Sequence, residues 1–251
     1  MYKRQVQKYR IEHIPCRSSE APLHKVTLDS FHLNKYEISY YNYDLFTQAV
    51  KRSFLRHDYL EPQWWKSRGQ TIEDVIEKFT GFRNGEAPAG IDWFQATDYC
   101  RWLGAATGLP IDLPTEAQWE YAARNRGQDL AYATNNGRQE VGKNYPAHKD
   151  GERHDVSSFP PSPLGLHHMN GNVAEWTKDW FAKDYYRRSP VNNPQGPKKG
   201  TKKTLRGGSG GSTPYYNYNF TRFGENIDYT HDQEAINLSL IHISEPTRPL
   251  H

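Results

Sequence analysis

Cysteine is nearly absent from this sequence, with two residues, Cys16 and Cys100, in 251. Two thiols cannot staple a chain of this length into a disulfide framework, and they fit no zinc-ligand spacing. Long apolar runs are missing too. No eighteen consecutive apolar residues occur and the mean hydropathy is -0.94, which excludes a membrane-spanning helix. An excess of one charge is also lacking. The 32 Lys and Arg residues are dispersed and nearly balanced by 29 Asp and Glu, which argues against a nucleic-acid partner. The densest basic run, Lys198, Lys199, Lys202 and Lys203, is interrupted by Gly200 and preceded by Pro194, Gly196 and Pro197, so it reads as a solvated loop. No internal repeat of fixed period is visible.

What is present suits one α+β domain. Hydrophobic residues make up 35% and charged residues 24%, the balance of a globular protein, and 17 Tyr with 7 Trp supply large rigid side chains with polar tips. Val26 and Leu28, then Phe31 and Leu33, alternate as two short strands with a turn between them. Ser39 caps a helix whose buried stripe is Tyr43, Phe46 and Val50. Residues 51–90 read as an insertion with a short helix near Thr71 to Phe79. Asp92 with Gln95, and Thr115 with Gln118, have the spacing of capping boxes, with Gly108 and Gly127 as stops, which predicts two helices packed together. Beyond Gly127, Gly, Pro, Asn, Asp and Ser dominate, so short strands and long ordered loops are expected. Residues 1–5 (MYKRQ) and 238–251 (LSLIHISEPTRPLH) look extraneous, like translated adapter sequence. The domain is therefore expected to run over residues 6–237 and to be truncated at both ends of a longer chain.

Five segments carry a resemblance: FHLNKYEISYYNYDLF (Phe31 to Phe46), IDWFQATDYCRWL (Ile91 to Leu103), LPTEAQWEYAARNRG (Leu113 to Gly127), GNVAEWTKDW (Gly171 to Trp180) and LRGGS (Leu205 to Ser209). Together, in this order, they resemble the formylglycine-generating enzymes, or sulfatase-modifying factors. The resemblance implies a C-type-lectin-like fold with sparse regular secondary structure. Departures lie at the ends, where the Gly-rich hairpin expected after Ile14-Pro15 and a closing Gly-Phe-Arg strand are missing.

Formylglycine-forming members of that family hold Cu(I) between two thiolates shortly after the GGS turn, a donor pair suited to a soft metal. Here Ser212 and Asn217 stand at those positions, so no copper is expected. Cys100 falls on the buried stripe of its helix and reads as an inert core residue. Calcium is the metal that the resemblance implies, held by loop oxygens. One site would use the carbonyls of Gly171 and Val173 and the carboxylate of Glu175. Three residues before Gly171, where another side-chain oxygen is expected, stands His168, a poor ligand for a hard cation. A second site would use Asn144, the Tyr145 carbonyl, Asp150 and the Glu152 carbonyl, although Asn144 and Asp150 equally suit the capping of polar turns. His154, His167 and His168 read as packed or hydrogen-bonded residues. The GGSGGS run lacks the Lys of a phosphate loop and reads as a tight turn.

The segment bearing Ser212, Tyr215, Tyr216, Asn217, Tyr218 and Arg222 replaces the thiol-bearing stretch. Exposed aromatics with one Arg would form a groove for a peptide, protein or glycan ligand, and core filling is the competing expectation. The sequence thus predicts a binding or accessory module of a bacterial protein, secreted, periplasmic or envelope-associated, without copper-thiol chemistry. The alternative is an oxidoreductase of the formylglycine-generating or non-haem iron kind that the resemblance implies, with metal ligands from a missing segment or partner domain.

Overall fold

The computed structural model describes residues 2–3, 18–56, 66–81, 85–146, 153–227, 236–237 and 242–244; side chains are described within residues 18–51, 66, 68–81, 85–146 and 153–227. In chain order the elements are β1 (Tyr2–Lys3), β2 (Thr27–Leu28), β3 (Phe31–Leu33), α1 (Tyr40–Arg56), α2 (Ile72–Thr80), α3 (Trp93–Thr107), β4 (Ile111–Asp112), α4 (Glu116–Ala123), β5 (Ala174–Trp180), β6 (Lys202–Arg206), β7 (Phe223–Asn226), β8 (Ile236–Asn237) and β9 (His242–Ser244). This is the sparse α+β architecture that the sequence predicts, with ordered loops carrying much of the chain.

The helices start where side chains can satisfy free N–H groups. Ser39 and Asn42 bond reciprocally across the start of α1, at 3.2 Å in each direction. Full capping boxes open α2 (Thr71 and Asp74), α3 (Asp92 and Gln95) and α4 (Thr115 and Gln118). Left-handed Gly108 ends α3, donating to the Gly104 carbonyl at 2.8 Å. Helix α4 stops at Ala123, earlier than Gly127 suggests, because Asn125, Arg126 and Gly127 are successive positive-φ residues that coil the chain back.

The two boxed helices do not form the packed pair that the sequence predicts. Residues of α3 (Ala96, Tyr99, Cys100, Leu103) join Phe46, Val75, Phe79, Leu113, Trp176 and Leu205 in one apolar core. Trp119, Ala122 and Ala123 of α4 build a second with Ala133, Leu166 and Met169. The reason is chemical, since one face of α4 carries Glu116, Glu120 and Arg124, which need polar partners that α3 does not offer.

A four-stranded sheet is ordered β7-β6-β5-β8 and gives Trp176 and Leu205 to the first core; β5 and β6 are antiparallel, with Glu175 opposite Arg206 and Trp176 opposite Leu205. Strands β2 and β3 do not pair with each other. Strand β2 pairs with β1, and β3 lies beside β9 in a separate sheet ordered β3-β9-β4. Short strands therefore come from both terminal segments that the sequence sets apart from the domain, residues 2–3 and 242–244.

Candidate functional site

The turn that follows β6 organises the position where thiols would stand. Gly207 and Gly208 have φ of 85° and 69°, and a Cβ on Gly208 would lie 2.1 Å from Asn217 Oδ1. Only glycine meets both conditions, left-handed backbone and a side chain pressed against the turn. Gly171 N–H donates to the Gly207 carbonyl at 3.0 Å and Gly210 N–H to the Asn172 carbonyl at 3.0 Å, which laces this turn to GNVAEW. Ser212 Oγ accepts from the Ser209 N–H at 3.0 Å and lies 3.0 Å from Ser209 Oγ. A 3-10 turn over Pro214–Asn217 then turns Asn217 inward, where its amide donates to the Tyr145 hydroxyl. Asn170 Nδ2 donates to the Asn217 carbonyl, and Tyr145 donates on to the Ser209 carbonyl at 3.4 Å. Burial raises the Tyr145 phenol, so it stays neutral and able to donate.

Around this buried polar knot lies a half-buried tyrosine surface. Tyr218 stacks on Phe220 with ring centres 4.9 Å apart and meets Tyr132 at 4.8 Å. Tyr215 and Tyr216 meet edge to face at 5.7 Å, and Tyr215 donates to Glu20 at 2.8 Å. Asn219 N–H donates to the Ala131 carbonyl at 2.8 Å, which brings the 130–138 loop beside the 209–220 loop. Two members of the predicted groove are absent from this surface. Asn217 is fully buried, and Arg222 is 1% exposed because its guanidinium forms a fork with both Glu116 oxygens at 2.7 and 2.5 Å. Ser212, Tyr215, Tyr216 and Tyr218 remain partly exposed. A separate cavity of about 430 Å³, lined by residues including Phe31, Leu33, Tyr121, Arg126 and Leu164, contains none of the six predicted groove residues.

Arg222 belongs to an interior ion cluster. Arg206 donates to Glu120 at 2.7 Å, Arg124 lies 3.3 Å from Glu120, and Tyr186 donates to Glu116 at 3.3 Å. Asp179 Oδ2 accepts the Glu116 N–H at 2.9 Å, and burial, then repulsion from Glu116, pushes its carboxyl up to about 7. The ammonium of Lys203 lies between the rings of Trp93 and Trp180, 4.0 and 3.9 Å from their centres, and burial pushes it down to about 8. The motifs LPTEAQWEYAAR and LRGGS meet here, and this meeting is structural. The spacing of Glu116, Glu120 and Arg124, four residues apart on one helix face, was the signal in the sequence.

At GNVAEW, Gly171 and Asn172 both have positive φ, 85° and 60°. The Asn172 amide donates to Glu37 Oε2 at 2.7 Å and its oxygen accepts the His154 N–H at 2.9 Å. The Val173 N–H also bonds to the Glu37 carboxylate, while Trp119 Nε1 donates to Glu175 Oε2. Burial, then the charge of Glu175, holds the Glu37 carboxyl well above the usual range. Glu37 lies inside one of the recognised segments, yet nothing in its sequence surroundings marks it as a partner of residues 135 positions away. Among the described residues no three His, Cys, Asp or Glu side chains gather as a metal site, so backbone carbonyls would have to complete any cation shell here.

His168 does not complete that shell. Its Nε2 donates to the Asp155 carbonyl at 3.0 Å, so that nitrogen carries a proton, and burial pushes the ring down to about 4. His167 Nδ1 donates to the Phe159 carbonyl at 3.1 Å and stacks on Tyr36, as packed and hydrogen-bonded histidines should. At the other predicted calcium site the oxygens are engaged. Asn144 Oδ1 accepts the Glu140 N–H at 2.8 Å, its amide donates to Asn135, Asn136 and Arg138, and the Tyr145 carbonyl accepts the Gly142 N–H. Asp150, Glu152 and Cys16 lie outside the described residues. Cys100 is buried and burial raises its thiol well above the ordinary value, the environment of an inert core residue.

Residues 5–234 match the profile of the sulfatase-modifying factor enzyme 1-like domain. The chain belongs to this family. It is 29% identical over 260 residues to the formylglycine-generating enzyme of Mus musculus, covering 88% of this chain and 68% of that protein. It is 32% identical over 196 residues to the serine/threonine-protein kinase pkn1 of Chlamydia pneumoniae, covering 75% of this chain and 29% of that longer protein. Among solved structures it is similar to PvdO from Pseudomonas aeruginosa, with a TM-score of 0.66 and 20% identity over 94% of this chain and 89% of that one. Treponema denticola variable protein 1 gives 0.67 and 19% over 98% and 94%. At these identities the structural likeness concerns the fold.

Proposed function

We propose that this domain is a binding or accessory module of the sulfatase-modifying-factor family, part of a larger bacterial protein, that works without copper-thiol chemistry. The observation that carries this reading is the state of the two positions where thiols would stand. Ser212 bonds to Ser209, and Asn217 is buried against Tyr145. A hydroxyl and an amide do not suit Cu(I), which needs soft donors, so copper does not fit this site. What the site offers instead is surface. Tyr132, Tyr215, Tyr216 and Tyr218 present rigid aromatic area beside Ser, Gly and Asn residues, the composition that binding loops use to fit a peptide, protein or glycan.

Anaerobic titration with Cu(I) against a chromogenic chelator should show no stoichiometric transfer of copper to the protein. A tight one-to-one complex abolished by a thiol-blocking reagent would overturn the reading. Binding can be tested directly on glycan and peptide arrays. Retention by the wild-type domain that disappears when Tyr215, Tyr216 and Tyr218 are all changed to Ser supports the surface; retention unchanged by the triple substitution sinks it.

We further propose a structural Ca²⁺ at the GNVAEW turn, held by the carbonyls of Gly171 and Val173 and the carboxylate of Glu175. The donor set supports it, since these are hard oxygens and the turn is built from two left-handed residues that re-aim the backbone. Ca²⁺ should raise the melting temperature of EDTA-treated protein, and Glu175→Ala should remove the rise. The 134–145 loop is held by the hydrogen bonds of Asn144 to Asn135, Asn136, Arg138 and Glu140.

A further inference from the structure

We propose that Glu37 is a second carboxylate ligand of the ion at the GNVAEW turn, supplying from the segment after β3 the side-chain oxygen that His168 cannot. The proposal rests on the Ca²⁺ reading above and names a residue which that reading does not contain. Two structural facts carry it. The carboxylate of Glu37, 1% exposed, is fixed at the turn by bonds from Asn172 Nδ2 and the Val173 N–H, while its Oε1 is buried and accepts no hydrogen bond from the described residues. In addition, the Glu175 carboxylate, also buried, lies close enough for the two charges to repel.

Two buried carboxylates within repelling range of each other are relieved by a proton or a cation. No Lys, Arg or His among the described residues forms an ion pair with Glu37, in contrast to Glu116 and Glu120, each of which has arginine partners. A divalent ion would answer both needs, balancing two negative charges and giving the Glu37 Oε1 lone pairs an acceptor of electrons. Oxygens of the two carboxylates and the Gly171 and Val173 carbonyls, completed by water, would give calcium an all-oxygen shell, with no nitrogen or sulfur to favour zinc or copper. A smaller ion that holds its waters tightly is less suited to a turn lined by fixed protein oxygens. The neutralised pair would then lock the segment carrying Glu37 to the turn after Asn170, adding to the bonds that Asn172 and Val173 already make to Glu37.

Tb³⁺ is a suitable probe, because it takes calcium's oxygen ligands and the Trp119 indole, bonded to Glu175, can sensitise its emission. The wild-type domain, stripped with EDTA, should show indole-sensitised emission saturating at one equivalent and reversed by Ca²⁺. Glu37→Gln should need at least tenfold more Tb³⁺ and lose most of the Ca²⁺-dependent rise in melting temperature, while melting in EDTA no lower than the wild type. Glu175→Gln should abolish the signal. Unchanged Tb³⁺ affinity in Glu37→Gln would overturn the role of Glu37 and leave the Gly171, Val173 and Glu175 site standing, with a proton shared by the two acids. Absence of Tb³⁺ emission and of any Ca²⁺ shift in the wild type would overturn both. If Glu37→Gln does not fold, Glu37→Asp keeps the charge and shortens the reach; it should bind Tb³⁺ more weakly than the wild type, and equal affinity would count against the proposal.

Discussion

Arg222 draws three distant parts of the chain onto one guanidinium. It bonds to both oxygens of Glu116, to the Ser19 carbonyl at 3.1 Å and to the Ala182 carbonyl at 3.1 Å, with the Tyr186 ring 4.3 Å beneath it. Removing one partner of such a buried pair leaves the other charged and dry. Arg222→Ala should therefore cost about 3–5 kcal/mol in urea unfolding, far more than loss of an exposed ion pair such as Arg101 with Asp98. A cost below about 1 kcal/mol would mean that Glu116 finds other company. At Gly208 the expectation rests on backbone and sterics together: Gly208→Ala forces a left-handed alanine whose Cβ meets Asn217 Oδ1, so it should lower stability by more than the roughly 1 kcal/mol of a strain-free glycine change. Thermal melts of the purified variant decide this. At this scale the sequence was a partial guide. Ser212 and Asn217 could be located by counting from the GGS turn, and Cys100 by its helical stripe. Arg222 could not be told from a surface arginine, because its partner stands 106 residues earlier.

Helix α4 shows how an element's ends and faces obey different parts of the sequence. Its start is local. Thr115 accepts the Gln118 N–H at 3.2 Å, and Thr115→Ala should cost about 1 kcal/mol, read by denaturant midpoint at constant slope. Its start also leans on Asp179, whose carboxyl is raised in the folded state above its ordinary value of 3.8. A carboxyl that holds its proton more tightly when folded adds stability that is complete below its unfolded value. That stability is lost as pH rises through about 7. Asp179→Asn, which keeps an acceptor for the Glu116 N–H, should thus melt above the wild type at pH 8, with the gap narrowing toward pH 5. A gap that widens as pH falls would reverse the sign and refute the assignment. The capping boxes were readable because each is written within four residues. The stop of α4 was misplaced because three consecutive left-handed residues leave no composition signal beyond a single Gly. The pairing of β3 with β9 spans most of the chain, and two- or three-residue strands carry too little alternation to announce a partner.

Across the whole molecule two apolar cores are bridged by polar contacts: the ion cluster on one side of β5 and β6, and the Glu37, Asn172 and Glu175 turn near the other motif. The fold class was legible because five ordered motifs identify it, whereas their interlocking was not, since it depends on side chains that meet only after folding. If the turn holds calcium, chelation should loosen the seam between the cores before either core melts. Hydrogen exchange in EDTA should then quicken first at residues 170–176 and 207–210, and a uniform change across the molecule would contradict that order. The ion cluster has a consequence for synthesis. Helix α4 emerges from the ribosome with Glu116 and Glu120 already aligned, but Arg206 and Arg222 follow 86 and 106 residues after them. Until Arg206 and Arg222 have emerged, Arg124 is the arginine on the same helix face that can answer these acids, and it pairs with Glu120. The nascent domain must keep that face of α4 wet until Arg222 has been made, so the ion cluster can close only after residue 222 has emerged.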